Sequence, residues 1–149
     1  MRVSVIGSGS AKPGGDTYRT AREVGRVLAG RGHAVVCGGL GGVMAAACRG
    51  ATEVGGETIG ILPGEDRGAA NEFVGTAVVT GMGNARNVLV ALNGDAAIAV
   101  SGSTGTLSEI GHALDFGRPI AGLDTHDVAG VEAVETPREA VDHVESAVK

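Results

Sequence analysis

The chain has 149 residues, 43% of them apolar, which suffices for one ordinary domain with a sizeable core and is too little for two. The net charge of -5 is uneven: from Asp124 onward seven acids meet two bases, so the first 123 residues are neutral and the closing segment reads as a solvated acidic face. Lysine occurs only at Lys12 and Lys149, the arginines are scattered, and Tyr18, Phe73 and Phe116 are the only aromatics, so a nucleic-acid partner is disfavoured.

Short β-branched runs alternate with stretches of helical period. Val3 to Ile6 reads as the first strand, and Met1 and Arg2 lead into it without a signal-like apolar stretch. Asp16 is a plausible N-cap for a helix with Ala21, Val24, Val27 and Leu28 on one face, stopped by Gly30 and Gly32. Ala34 to Cys37 is the second strand, Gly41 to Val54 the second helix and Thr58 to Leu62 the third strand. The segment from Pro63 to Asn71 is a loop, either a lid or a plain connection. Then come strand Ala77 to Thr80, helix Asn84 to Asn93, strand Ala96 to Val100, and helix Gly105 to Phe116 with Leu107, Ile110, Ala113 and Leu114 towards the sheet. Strand Pro119 to Leu123 and helix Thr136 to Val148 close the chain.

This succession needs crossover connections, so the expected fold is a single α/β, Rossmann-like domain over residues 1–149: a mostly parallel sheet of about six strands with helices on both faces. No run approaches the roughly 18 apolar residues of a membrane span, so a soluble cytoplasmic protein with no membrane partner is expected. Cys37 and Cys48 form no CxxC pair, and neither a disulfide nor a metal site is expected.

Ligands bind such sheets at the carboxyl ends of the strands, and the glycine-rich segments sit there: Gly7 to Gly15, Gly38 to Gly42 and Ser101 to Gly105. A strand that ends in glycine and feeds a helix aims backbone N–H groups and the positive end of the helix dipole at one spot, which suits a phosphate. The first turn, with Gly7, Ser8 and Gly9, lacks the third glycine of the dinucleotide fingerprint, and no acid follows the second strand, so a nicotinamide dehydrogenase is a poor reading. A GxxxxGK[ST] segment is absent too. Lys12 is either a phosphate ligand or a solvated loop lysine.

The most informative stretch runs through Ser101, Gly102, Ser103, Thr104, Gly105 and Thr106 to Glu109, where hydroxyls and N–H groups can envelop phosphate oxygens. Thr106 and Glu109 also stand in the S/T-x-x-E relation of a capping box, a structural role that needs no ligand. Arg86, between Asn84 and Asn87, is placed to fork onto a phosphate, to pair with Glu109, or to lie on the surface.

Cys37 to Met44, which contains Gly38, Gly39 and Gly41, resembles the GGGxxGLM segment of the LONELY GUY-like superfamily, and Ser101 to Glu109 resembles its PGGxGTxxE segment. That superfamily includes cytokinin-activating phosphoribohydrolases and molybdenum cofactor carrier proteins, and the resemblance spans the first strand to Leu123. It implies a 5′-phosphate held by the Gly102 to Thr106 loop, with Glu109 and Arg86 at the catalytic positions of the hydrolases. Ser101, Ser103 and Ser108 replace the usual Pro, Gly and Glu, and Gly83 and Asn87 replace a His and a Lys. The Gly83 to Asn87 and Gly105 to Ile110 wording looks closer to the carrier branch.

The resemblance therefore implies a binding protein for a phosphorylated small molecule, either a nucleotide or a molybdopterin-type cofactor. The alternative is a nucleoside 5′-monophosphate phosphoribohydrolase. No resident cofactor is expected, with molybdenum cofactor entering as cargo, and a dimer or tetramer of identical chains is expected.

Overall fold

The computed structural model describes residues 1–148. Its elements in chain order are β1 (Arg2–Gly7), α1 (Asp16–Gly30), β2 (Ala34–Cys37), α2 (Val43–Glu53), β3 (Thr58–Leu62), β4 (Thr76–Val79), α3 (Asn87–Asn93), β5 (Ala96–Val100), α4 (Thr104–Asp115), β6 (Ile120–Leu123), β7 (Val131–Ala133) and α5 (Pro137–Ala147). The strands form one sheet in the order β4-β3-β2-β1-β5-β6-β7. Every neighbouring pair is parallel. Six of the strands are those expected from the β-branched runs. The seventh, β7, carries exposed Glu132 and Ala133 at the sheet edge and has no apolar run to announce it.

Side chains of the central strands alternate between two cores, as a twofold strand period demands. Val3, Val5, Val35, Cys37, Ile98 and Val100 meet α1, α2 and α5 on one face, while Ile6, Val36, Ala97 and Ala99 meet α3 and α4 on the other. Glycine sets the helix spacing on the first face. A Cβ on Gly25 of α1 would sit 1.9 Å from the Ala47 carbonyl oxygen, and one on Gly50 of α2 would sit 1.8 Å from that of Arg22. The two helix backbones are therefore in direct contact.

Two local readings are corrected. The N-cap of α1 is Gly15, with Asp16 the first helical residue, and no side chain caps that end. On α4 the buried stripe is Thr106, Glu109, Ile110 and Ala113 rather than one containing Leu107, which is 43% exposed. The helix is rotated so that the Glu109 carboxylate faces inward.

At the edge away from the strands' carboxyl ends, Arg31 donates to Asp142 at 2.7 Å and to Glu145 at 2.8 Å, and the His33 ring lies 2.7 Å from Glu145. These bonds fasten α5 to the turn between α1 and β2. Among the described residues, no helix is long and apolar enough to cross a membrane.

The helix contact yields a direct expectation. Gly25→Val should destabilise the fold by about 3 kcal/mol or more through overpacking. Gly30→Ala, with open space around its Cβ, should be neutral or stabilising by up to about 1 kcal/mol. Urea unfolding of the two variants checks the contrast.

Candidate functional site

The strand order reverses beside β1: the chain leaves β1 towards β2 and leaves β5 towards β6, so the crossovers diverge and open a crevice at the carboxyl ends of β1 and β5. A cavity of about 170 Å³ occupies that crevice. Gly7 and Gly9 come to its wall from the first turn and Met44 from α2. Asn84, Arg86 and Asn87 come from the start of α3, and Ser103, Gly105, Thr106 and Glu109 from α4. A larger hollow of about 310 Å³ beside β6 and β7 is lined by Asp124, Asp127 and Glu135, the wrong sign of charge for an anion.

The turn before α4 is shaped by backbone conformation. Ser101 has φ 55° and Gly102 φ 113°, both in the left-handed half of the map. A Cβ on Gly102 would lie 2.2 Å from Thr106 Oγ1, so glycine is required there on two counts. The chain then enters α4 behind Ser103, whose side chain makes no capping hydrogen bond. Such an N-terminus presents first-turn N–H groups and a partial positive charge to whatever lies in front. In front of Gly105 there is room: the nearest atom to a Cβ built there is Asn87 Nδ2, at 3.9 Å.

Opposite the helix N-terminus stands Arg86, only 6% exposed. Its Nε donates to the Ile61 carbonyl at 2.9 Å, one terminal nitrogen donates to the Gly38 carbonyl at 3.3 Å, and the other donates to Asn87 Oδ1. A guanidinium has five N–H donors, so two remain for a ligand. No carboxylate lies within ion-pair distance of Arg86 among the described residues. Burial pulls its pKa down from the ordinary value, while the fields of Glu109 and Cys37 push it up.

Glu109 is 9% exposed, and among the described residues its carboxylate has no hydrogen-bond partner. Burial pushes its carboxyl up to about 7 against the opposing pull of Arg86. The capping-box expectation for this residue does not hold. The cap position is Ser103, Thr106 lies inside the first turn, and Glu109 projects into the cavity wall.

The remaining predicted residues support the wall or stand away from it. The Ser8 carbonyl accepts the Val43 N–H at 2.9 Å, which docks the first turn onto α2. Gly38 is buried behind Met44 and Arg86, where a Cβ would come within 2.7 Å of the guanidinium, and Gly39 is buried against Leu62. Gly41 and Thr104 are exposed at the rim, and the Ser101 carbonyl accepts a hydrogen bond from Thr125. Lys12 is exposed and does not line the cavity.

Asn87, which the sequence offers only as a neighbour of Arg86, also lines the cavity. Its amide holds Arg86 on one side and donates to Ser108 Oγ at 3.3 Å on the other, and Ser108 donates in turn to the Gly105 carbonyl at 2.7 Å. The available signal was a polar residue opening an apolar helix directly after the arginine. The segment after β3 is tied down rather than free, because Asn71 donates to the carbonyls of Gly39 and Leu40 at 2.8 Å each.

The model of the SLOG cluster4 family matches residues 1–149. The chain belongs to the SLOG cluster4 family. An uncharacterized protein of Archaeoglobus fulgidus is 42% identical over 151 residues, covering 100% of this chain and 98% of that one. Among solved structures, this SLOG cluster4 chain is similar to the molybdenum cofactor binding protein of the phototrophic bacterium Rippkaea orientalis. That match has a TM-score of 0.91 and 32% identity, over 99% of this chain and 97% of that one. The molybdenum cofactor carrier protein of Chlamydomonas reinhardtii matches with a TM-score of 0.87 and 31% identity, over 97% and 96% of the two chains.

The raised Glu109 pKa links stability to pH. Between the ordinary carboxyl value and about 7 the folded chain keeps a proton that the unfolded chain has released, so stability falls as pH rises through that window. Glu109→Gln should therefore be more stable than the parent at pH 8, by on the order of 2 kcal/mol, with the gain shrinking towards pH 5. Denaturant titrations at the two pH values check it.

Proposed function

We propose that this chain binds a phosphorylated small molecule, with the phosphate at the N-terminus of α4, and acts as a carrier whose cargo is of the molybdenum cofactor type. The observation that carries this reading is the uncapped helix N-terminus opening on a cavity beside a buried arginine with two unused N–H donors. Backbone N–H groups, a helix dipole and a guanidinium are together complementary to a tetrahedral oxyanion such as phosphate. The cargo class is supported by the names of the structural relatives, a cofactor binding protein and a cofactor carrier.

A second reading, hydrolysis of the base-to-ribose bond of a nucleoside 5′-monophosphate, is favoured by Glu109. A carboxyl held near 7 and free of protein partners is suited to take up or release a proton at neutral pH. In that case the phosphate anchors the ribose, Glu109 positions water or steadies an oxocarbenium-like centre, and Arg86 offsets the added negative charge. In the carrier, Glu109 in its protonated form is a hydrogen-bond donor to the cargo.

Calorimetry with sulfate, nucleoside monophosphates and a molybdopterin ligand, alongside chromatography for released base, separates the two. Binding without turnover supports the carrier, and free base that disappears in Glu109→Gln establishes the hydrolase. Gly105→Val places a side chain in the open space before the helix N-terminus, at a position where a Cβ meets nothing nearer than 3.9 Å. It should weaken anion binding about tenfold or more, the scale of one lost charge-assisted hydrogen bond, with the thermal midpoint unchanged.

A further inference from the structure

Cys37 ends β2 and Cys48 lies in the middle of α2, and between them runs the glycine segment that supports Arg86 and supplies Met44. The two Sγ atoms are 3.5 Å apart, both fully buried and free. Buried cysteines normally pack as small apolar groups. Two features set this pair apart. The sulfurs touch each other rather than aliphatic carbon alone, and the Gly39 N–H donates to Cys37 Sγ at 3.3 Å.

We propose that Cys37 and Cys48 are an oxidation site, joined into an intramolecular disulfide by hydrogen peroxide, and that the bond weakens the anion site by displacing the Gly38 carbonyl that holds Arg86. The S–H of Cys48 and the Gly39 N–H both aim partially positive hydrogens at Cys37 Sγ and so favour its thiolate, whose pKa lies below the ordinary thiol value, while that of Cys48 is pushed up. Cys37 is the attacking thiolate. Its sulfur attacks one peroxide oxygen, the O–O bond breaks, and the departing hydroxide takes the proton of Cys48 to give water. The Cys48 thiolate then attacks the sulfenic sulfur of Cys37, forming the S–S bond and expelling hydroxide, which picks up a proton from solvent. Two thiols are oxidised by two electrons and one peroxide is reduced to two waters. Because both sulfurs are fully buried, the reaction requires a transient opening that admits peroxide, and the two Asn71 hydrogen bonds to Gly39 and Leu40 are the contacts it would break.

Bond formation brings the sulfurs from 3.5 Å to about 2.05 Å. The α2 backbone around Cys48 has little room to follow, because it is wedged on α1 where Ala47 meets Gly25 and where Gly50 meets Arg22. The Cys37 end moves instead, and Gly38 is the next residue. The consequence for binding rests on the anion site proposed above, whereas the cross-link itself does not.

The full chain is reduced, then titrated with hydrogen peroxide and followed by intact mass, peptide mapping and calorimetry with sulfate. The expected product is lighter by two hydrogen atoms, links the peptides bearing Cys37 and Cys48, reverts with dithiothreitol, and binds sulfate about tenfold more weakly. Hydrogen exchange across 38–47 should rise on oxidation, a readout that needs no ligand. Cys48→Ala should form no intramolecular link and lose the peroxide effect on sulfate. A native chain that gains only oxygen, or links only between molecules, overturns the proposal. A cross-linked chain with unchanged exchange across 38–47 overturns the displacement. If the reduced chain binds no sulfate at all, the anion site fails while the cross-link stands or falls on mass alone.

Discussion

A guanidinium buried at the carboxyl edge of a parallel sheet needs partners for its donors, and Arg86 meets three of its five with carbonyl and amide oxygens rather than a carboxylate. Its bonds reach the end of β3 at Ile61, the turn after β2 at Gly38, and the start of α3 at Asn87. Three segments distant in sequence are thereby held in one register. Because the oxygens are neutral, the positive charge is not cancelled and remains available in the cavity. Asn87 passes the same constraint on to Ser108 and the first turn of α4. The cation and the helix N-terminus are thus positioned by one chain of hydrogen bonds.

The inward rotation of α4 follows from that arrangement. Glu109 occupies a place where period alone favours an apolar residue, and its burial is tolerated because a cation is near and because the carboxyl can hold its proton close to neutrality. A chain selected for stability alone has little reason to keep an ionisable pair there without contact between its members. On the proposed function, the pair is the unfinished half of a set of interactions that the ligand would complete. The rim adds shape more than charge: Met44 reaches from Gly38 towards Gly9, and the exposed Asn84 closes the side nearest α3.

Much of the fold could be read from the residues because parallel strands are buried on both faces and announce themselves as runs such as Val3 to Ile6 and Ala96 to Val100. β7 could not, since a three-residue edge strand with polar and small side chains has no such run. The glycine turns pointed to the right edge of the sheet, and Gly7, Gly9, Gly105, Arg86 and Glu109 do come together on one cavity. For Lys12 the residues left a phosphate ligand and a solvated loop lysine both open, because loop direction depends on tertiary contacts, and its exposure away from the cavity agrees with the second. The capping box misled for a definite reason: the spacing from Thr106 to Glu109 fits a helix start, but the left-handed Ser101 and Gly102 turn the chain early and the helix begins at Thr104. Sequence spacing carries no information about two sulfurs meeting across a strand and a helix.

The strand order has a bearing on how the chain is made. Of the strands of this sheet β1 is synthesised before the others, yet it is central: one edge pairs with β2 from Ala34, and the other finds its partner only in Ala96 to Val100. At about 5–20 residues per second, that second edge is left without its partner for on the order of ten seconds during synthesis. Through this interval the apolar strand offers open backbone groups to any other nascent chain. Ser4, whose hydroxyl later donates to the Val90 carbonyl from the middle of that strand, is a polar interruption on the waiting edge. The architecture that creates the crevice between β1 and β5 thus makes its two walls the last of the central strands to meet.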